Sequence, residues 1–161
     1  MIRSSQRNFG FGLIEILVTT AIAGILFAGG MAAYRGMGER QGLKQAGASF
    51  QSKLRLYQQK ALSGEKPEVC GSGDTFLGFR VSYDSTTSYL AQAICNLATP
   101  AAVTINLPTG VEFVAPFSPN EIVFSVLDST LQGAQTIILT SGSFNYQVMI
   151  QASGVIKGSM L

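Results

Sequence analysis

Apolar and polar positions along this chain keep three different rhythms. From Ile16 to Tyr34 no side chain is charged. At about 1.5 Å per residue that run makes roughly 28 Å of helix, enough to cross a bilayer. The pattern then turns amphipathic. Leu43, Ala46, Phe50, Leu54, Tyr57 and Ala61 recur at spacings of three and four, while Lys44, Gln45, Gln51, Lys53, Arg55, Gln58 and Lys60 fill the other faces. This predicts a continuing helix to about Leu62, stopped by Ser63-Gly64 and then Pro67. The whole helix would be about 50 residues and roughly 75 Å long.

From about Thr75 the period falls to two. Leu77, Phe79, Val81 and Tyr83 alternate with Gly78, Arg80 and Ser82, and the pattern resumes over Tyr89 to Ile94 after the turn residues Asp84-Ser85-Thr86-Thr87. Further strands are expected at Val103 to Leu107, Val111 to Val114, Ile122 to Leu127, Thr136 to Thr140 and Phe144 to Gln151, with a reversal at Ser141-Gly142-Ser143. One half-buried face per strand argues for antiparallel pairing, with the helix stripe as its cover. The fold class expected is α+β: a long N-terminal helix packed on an antiparallel β-sheet domain.

Glu15 breaks the apolar pattern at its start. A lone carboxylate in a membrane segment costs several kcal/mol or more, so it marks function by default. Arg3 and Arg7 before the span, with no charge after Glu15 until Arg35, favour a cytoplasmic N-terminus and an extracytoplasmic remainder.

Gly10-Phe11-Gly12-Leu13-Ile14-Glu15 resembles the type IV prepilin signal: a short basic leader, Gly before the cut, Phe after it, Glu at a fixed offset, then a long apolar helix. Gly12 stands where Thr is more usual. The resemblance implies cleavage between Gly10 and Phe11 by prepilin peptidase and N-methylation of Phe11 by the same enzyme. It also implies that Glu15 pairs with the N-terminal amine of a neighbouring subunit during assembly. The domains expected are a leader at 1–10, a membrane and assembly helix at 11–34, and an extracytoplasmic domain at 35–161. The partners implied are other pilin or pseudopilin subunits, prepilin peptidase, the inner-membrane assembly platform and the membrane itself. An ordinary secretory signal cut near Ala21-Ile22-Ala23, or a plain anchor, are the alternatives. N-terminal sequencing separates them, with starts at Phe11, Gly24 or Met1.

The helix-then-sheet order is the pilin plan. Gly110 to Phe113, Ile122 to Phe124, Thr136 to Leu139 and a final strand ending Ser153-Gly154-Val155-Ile156 are similar to the GspH/FimT group of minor pilins and pseudopilins. Gly24 falls where related pilins often weaken the helix, but Ala32 stands where many major pilins carry Pro, which favours a minor subunit. The expected function is therefore a structural, minor subunit of a type IV pilus or type II secretion pseudopilus. The alternative is a DNA-binding minor pilin.

Composition adds limits. The residues after the span suffice for one domain. Losing Arg3 and Arg7 from the eleven Lys and Arg leaves nine against nine Asp and Glu. A neutral mature chain gives no electrostatic case for nucleic acid, and Lys157 is the single cation of the last stretch. Cys70 and Cys95, outside the cytoplasm on this topology, are expected to form a disulfide closing a loop of about 25 residues, worth roughly 3 kcal/mol. The chain has no His, so no His-based catalysis is available. Glu65 and Glu68 flank Pro67 in a helix-exit loop, and nothing in the sequence sets Glu112 or Glu121 opposite another acid. No enzyme activity, metal or cofactor is expected; Asp74 and Asp84 stand apart rather than in a calcium-type cluster.

Overall fold

The computed structural model describes residues 12–128, 131 and 133–161. The chain divides into two compact units at Gly38/Glu39, and each is described by itself. A single helix, α1, covers Leu13–Leu62. Eight strands follow: β1 Phe76–Ser85, β2 Ser88–Cys95, β3 Val103–Asn106, β4 Glu112–Phe113, β5 Glu121–Ser125, β6 Gln135–Ser141, β7 Phe144–Ile150 and β8 Ile156–Met160.

The helix stops where its sequence says it should, and the cap is visible. The Glu65 N–H donates to Lys60 O at 3.3 Å and the Gly64 N–H to Ala61 O at 3.1 Å. This pair of bonds is the Schellman arrangement, and it needs a left-handed residue just past the last turn. Gly64 supplies it with φ of 64°, which a residue without Cβ adopts at no steric cost.

In the second unit the stripe of α1 is core. Leu43, Ala46, Phe50, Leu54 and Ala61 are buried, while Lys44, Gln45, Lys53 and Arg55 are exposed. The face covered is made by two four-stranded sheets rather than one, in the orders β3-β2-β1-β5 and β4-β6-β7-β8, every pairing antiparallel. Both contribute to one hydrophobic cluster with the helix. Phe50 sits at its centre, with ring centroids 5.0 Å from Tyr89 of the first sheet and 5.6 Å from Phe113 of the second. Edge-to-face aromatic contacts of this kind add about 0.5–1.5 kcal/mol beyond area burial.

Polar groups tie the pieces where apolar contact ends. Phe113 N–H donates to Thr86 O at 2.7 Å, joining β4 to the β1–β2 turn. Gln135 Nε2 donates to Glu121 O at 3.0 Å, joining β6 to β5. Gln51 Nε2 and Arg55 Nη2 both donate to Ile156 O, at 3.1 and 2.8 Å, and Gln58 Nε2 to Gly154 O at 2.7 Å. The helix thus satisfies backbone carbonyls along β8 and its preceding turn. Tyr146 of β7 packs against Gly47, where a Cβ would overlap its ring. Gly47 is therefore a packing choice.

Two strand expectations need correction. The period-two reading put Leu77 inside, but Leu77 is 45% exposed and Phe76 is buried. The register of β1 against β2 slips between Phe76 and Gly78, so one extra residue flips the alternation. Gly78 permits this with φ of 148°, and a Cβ there would overlap Phe124 O. The last strand does not run to Ile156: β7 ends at Ile150, a turn closes with Gly154 N–H on Gln151 O at 2.8 Å, and β8 begins at Ile156.

Candidate functional site

Glu15 lies in the first described turn of α1, with its N–H bonded to Gly12 O at 2.9 Å. A carboxylate here faces the partial positive charge of a helix N-terminus. Its side chain is exposed and has no partner among the described residues. The side chains around it are exposed as well, from Gly12 through Ala28. Thr19 and Thr20 turn their hydroxyls back onto Glu15 O and Ile16 O, at 2.8 and 2.9 Å. This hides their polarity within the helix and leaves Glu15 as the one ionisable group between Gly12 and Ala28. Gly10 and Phe11, the expected cleavage and methylation positions, lie outside the described residues, as does the leader.

Among the described residues no helix is long and apolar enough to cross a membrane. The side chains at 29 and 31–34, within the charge-free run of the sequence, are outside that description, so the span stays an expectation from sequence.

The second feature is a loop stapled twice. Cys70 and Cys95 form a disulfide with Cα atoms 5.7 Å apart, a usual separation. Beside it, Asp74 Oδ1 accepts from Thr75 N at 2.7 Å and Leu97 N at 2.8 Å, and Oδ2 from Ala98 N at 2.7 Å. Burial works to raise the Asp74 pKa, but hydrogen bonds from Ala98, Leu97, Thr75 and Asn96 outweigh it and hold the carboxyl below the usual carboxylate range. Lys66 Nζ donates to Asp74 O at 2.6 Å. Sequence reasoning found Asp74 isolated from other acids and missed this role. The only available signal was an Asp after the glycines of Gly71-Ser72-Gly73, a residue type that bonds nearby backbone N–H groups.

The other acids are dispersed. Glu121 pairs with Arg80 at 2.8 Å, Asp84 Oδ2 accepts from Ser88 Oγ at 2.6 Å, and Glu65, Glu68 and Glu112 are exposed. Lys157 is exposed on β8. Among the described residues no group of three His, Cys, Asp or Glu could hold a metal ion. A 170 Å³ concavity beside Arg80, Gln92 and Pro100 presents no nucleophile with a base next to it. Two tyrosines are perturbed: burial raises the Tyr57 pKa, and burial, then the charge of Tyr57, pushes Tyr89 up to about 12.

Residues 5–31 match the family model of the prokaryotic N-terminal methylation motif. The matched stretch is the type IV prepilin signal, and the helix packed on antiparallel sheets is the α+β architecture consistent with a pilin fold. The matched stretch includes Gly10, Phe11 and Glu15, the residues that carried the resemblance. No curated protein matches the chain, and no solved structure matches it.

Proposed function

We propose that this chain is a structural subunit of a type IV pilus or type II secretion pseudopilus, cut between Gly10 and Phe11 and assembled through its N-terminal helix. The observation that carries this reading is Glu15: an exposed carboxylate, unpartnered among the described residues, in the first turn of an apolar helix, inside the methylation motif. In low dielectric such a group must protonate or find a cation. Cleavage creates that cation at Phe11, four residues away, and a neighbour's amine completes the pair.

The membrane is crossed once by residues 11–34, with the leader in the cytoplasm and the domain outside. The charge-free run supports this, and so does the disulfide, a bond of oxidising compartments. Ala32, in place of the Pro of many major pilins, favours a subunit present in few copies. The role is structural rather than catalytic, since the acids are dispersed and the chain has no His. The reading of a DNA-capturing subunit rests on Lys157 alone, and non-specific DNA binding scales with the number of phosphates neutralised.

The test is Glu15→Leu in the full chain, in cells with prepilin peptidase and filament machinery. The variant should be processed to a Phe11 start yet fail to enter filaments. Normal filament entry would sink the reading.

A further inference from the structure

Five of the exposed large apolar side chains of the second unit lie where α1 ends. Leu97 and Leu127 are each 78% exposed, Val69 58%, Leu77 45% and Leu62 37%. Backbone bonds hold them at one end of the domain. Leu127 N–H donates to Ala61 O, beside Leu62, and Val126 N–H donates to Leu77 O. Val69 precedes Cys70, which is bonded to Cys95, and Leu97 hangs from the Asp74 carboxylate. Two elements of this end are fixed: the disulfide loop is stapled twice, and the bulge that buries Phe76 turns Leu77 outward. Scattered exposed apolar residues need no explanation, but a fixed group of them points to a partner.

Charge says which partner. Glu65 and Glu68, on the loop leaving the helix, are exposed and make no side-chain hydrogen bond or ion pair with another described residue. Of the nearby cations, Lys66 donates to Asp74 O and Lys60 is half-buried. Roughly 30 Å away along α1, Arg40 and Lys44 lie four residues apart on one helix face, exposed and equally unpaired among the described residues. Their acidic neighbour Glu39 is turned toward Gly142 of the β6–β7 turn.

We propose that the apolar end, with Glu65 and Glu68, receives Arg40 and Lys44 of a second copy of this chain. Opposite ends of one domain meeting in this way make a heterologous contact, the kind that propagates along a filament instead of closing. The inference rests on the filament reading and adds to it: copies of this chain, even if few, are neighbours in the filament.

The test uses the full chain in filament-forming cells and reads the processed chain recovered from sheared filaments. Glu65→Lys with Glu68→Lys should cut recovery about tenfold, as should Arg40→Glu with Lys44→Glu, because each sets like charges together. All four changes in one chain should restore it. Disulfide formation and protease resistance check that each variant is folded; a variant that fails them is replaced by its Gln counterparts, expected to lose about half as much on a logarithmic scale. No loss from either pair overturns the proposal. Loss from both without restoration assigns the surface to a different subunit and also overturns it. If the unchanged chain is processed but never enters filaments, the filament reading itself falls, a result separable from the other two.

Discussion

Leu43 and Leu54, in the second half of α1, have no exposed surface, whereas Leu13, Ile14, Ile25 and Phe27 in the first half each expose 75% or more. Both stretches are apolar and helical. The difference is that the second half is striped and the first is apolar on most faces. A stripe states which side meets the protein's own sheets. An unstriped apolar helix states only that its surroundings lie outside the chain, in lipid or against other helices. The two halves therefore separate stability from assembly, and substitutions should divide the same way.

The largest effect should come from the first half and should leave the domain untouched. Glu15→Leu is expected to lower the assembled fraction about 100-fold, the ~3 kcal/mol typical of breaking one partner out of a buried ion pair. Thermal unfolding of the domain should not move. A shift of its midpoint by several degrees would break the comparison.

In the second half, Phe50→Ala should destabilise the domain by about 3–5 kcal/mol, as large-to-small changes at fully packed aromatic sites do. Phe27→Ala should change domain stability by less than about 0.5 kcal/mol. Denaturant titration of the two variants side by side measures both. Replacing Cys70 and Cys95 together by Ser should cost about 3 kcal/mol, read in the same titration.

Glycine offers a finer probe, because one substitution should change sign between regions. Gly47→Ala places a methyl into the Tyr146 ring and should destabilise by about 1–3 kcal/mol. Gly24→Ala meets open space and should favour the helix by up to about 1 kcal/mol. Helix content and unfolding midpoints of the two variants would sharpen the boundary between the halves.

The smallest effects are pH-dependent and belong to the second unit. Tyr89 is held neutral with its pKa raised to about 12. Its stabilising contribution is complete below about pH 10 and is lost as pH rises toward 12. Asp74 is shifted the other way: its contribution is present above the ordinary carboxylate range and fades as pH falls through its lowered pKa. Tyr89→Phe should flatten the alkaline limb of a stability profile, and Asp74→Asn the acid limb.

Much of this was legible in sequence because side-chain period is a local property. The helix stripe from Leu43 to Ala61, its end at Gly64, and the alternation in β7 follow from spacing alone. The bulge at Leu77 was not legible, because nothing in Phe76-Leu77-Gly78 says which of two adjacent apolar residues turns inward; pairing with Cys95 and Ile94 decides it. Nor was the division into two sheets, since strand order depends on contacts between distant residues. Glu15 was legible through its spacing from Phe11. The Asp74 clamp joins residues 23 and 24 positions apart, beyond the reach of a local pattern.

The bonds from Gln51, Arg55 and Gln58 to the carbonyls of Ile156 and Gly154 also have a mechanical meaning. Their donors recur at intervals of three and four, so they form one row along α1. Tension applied along the axis of this half of the helix loads the row in shear, with all three bonds resisting together. A sideways pull would peel them one after another. This half of the helix is thus anchored to β8 and its preceding turn by bonds that share an axial load.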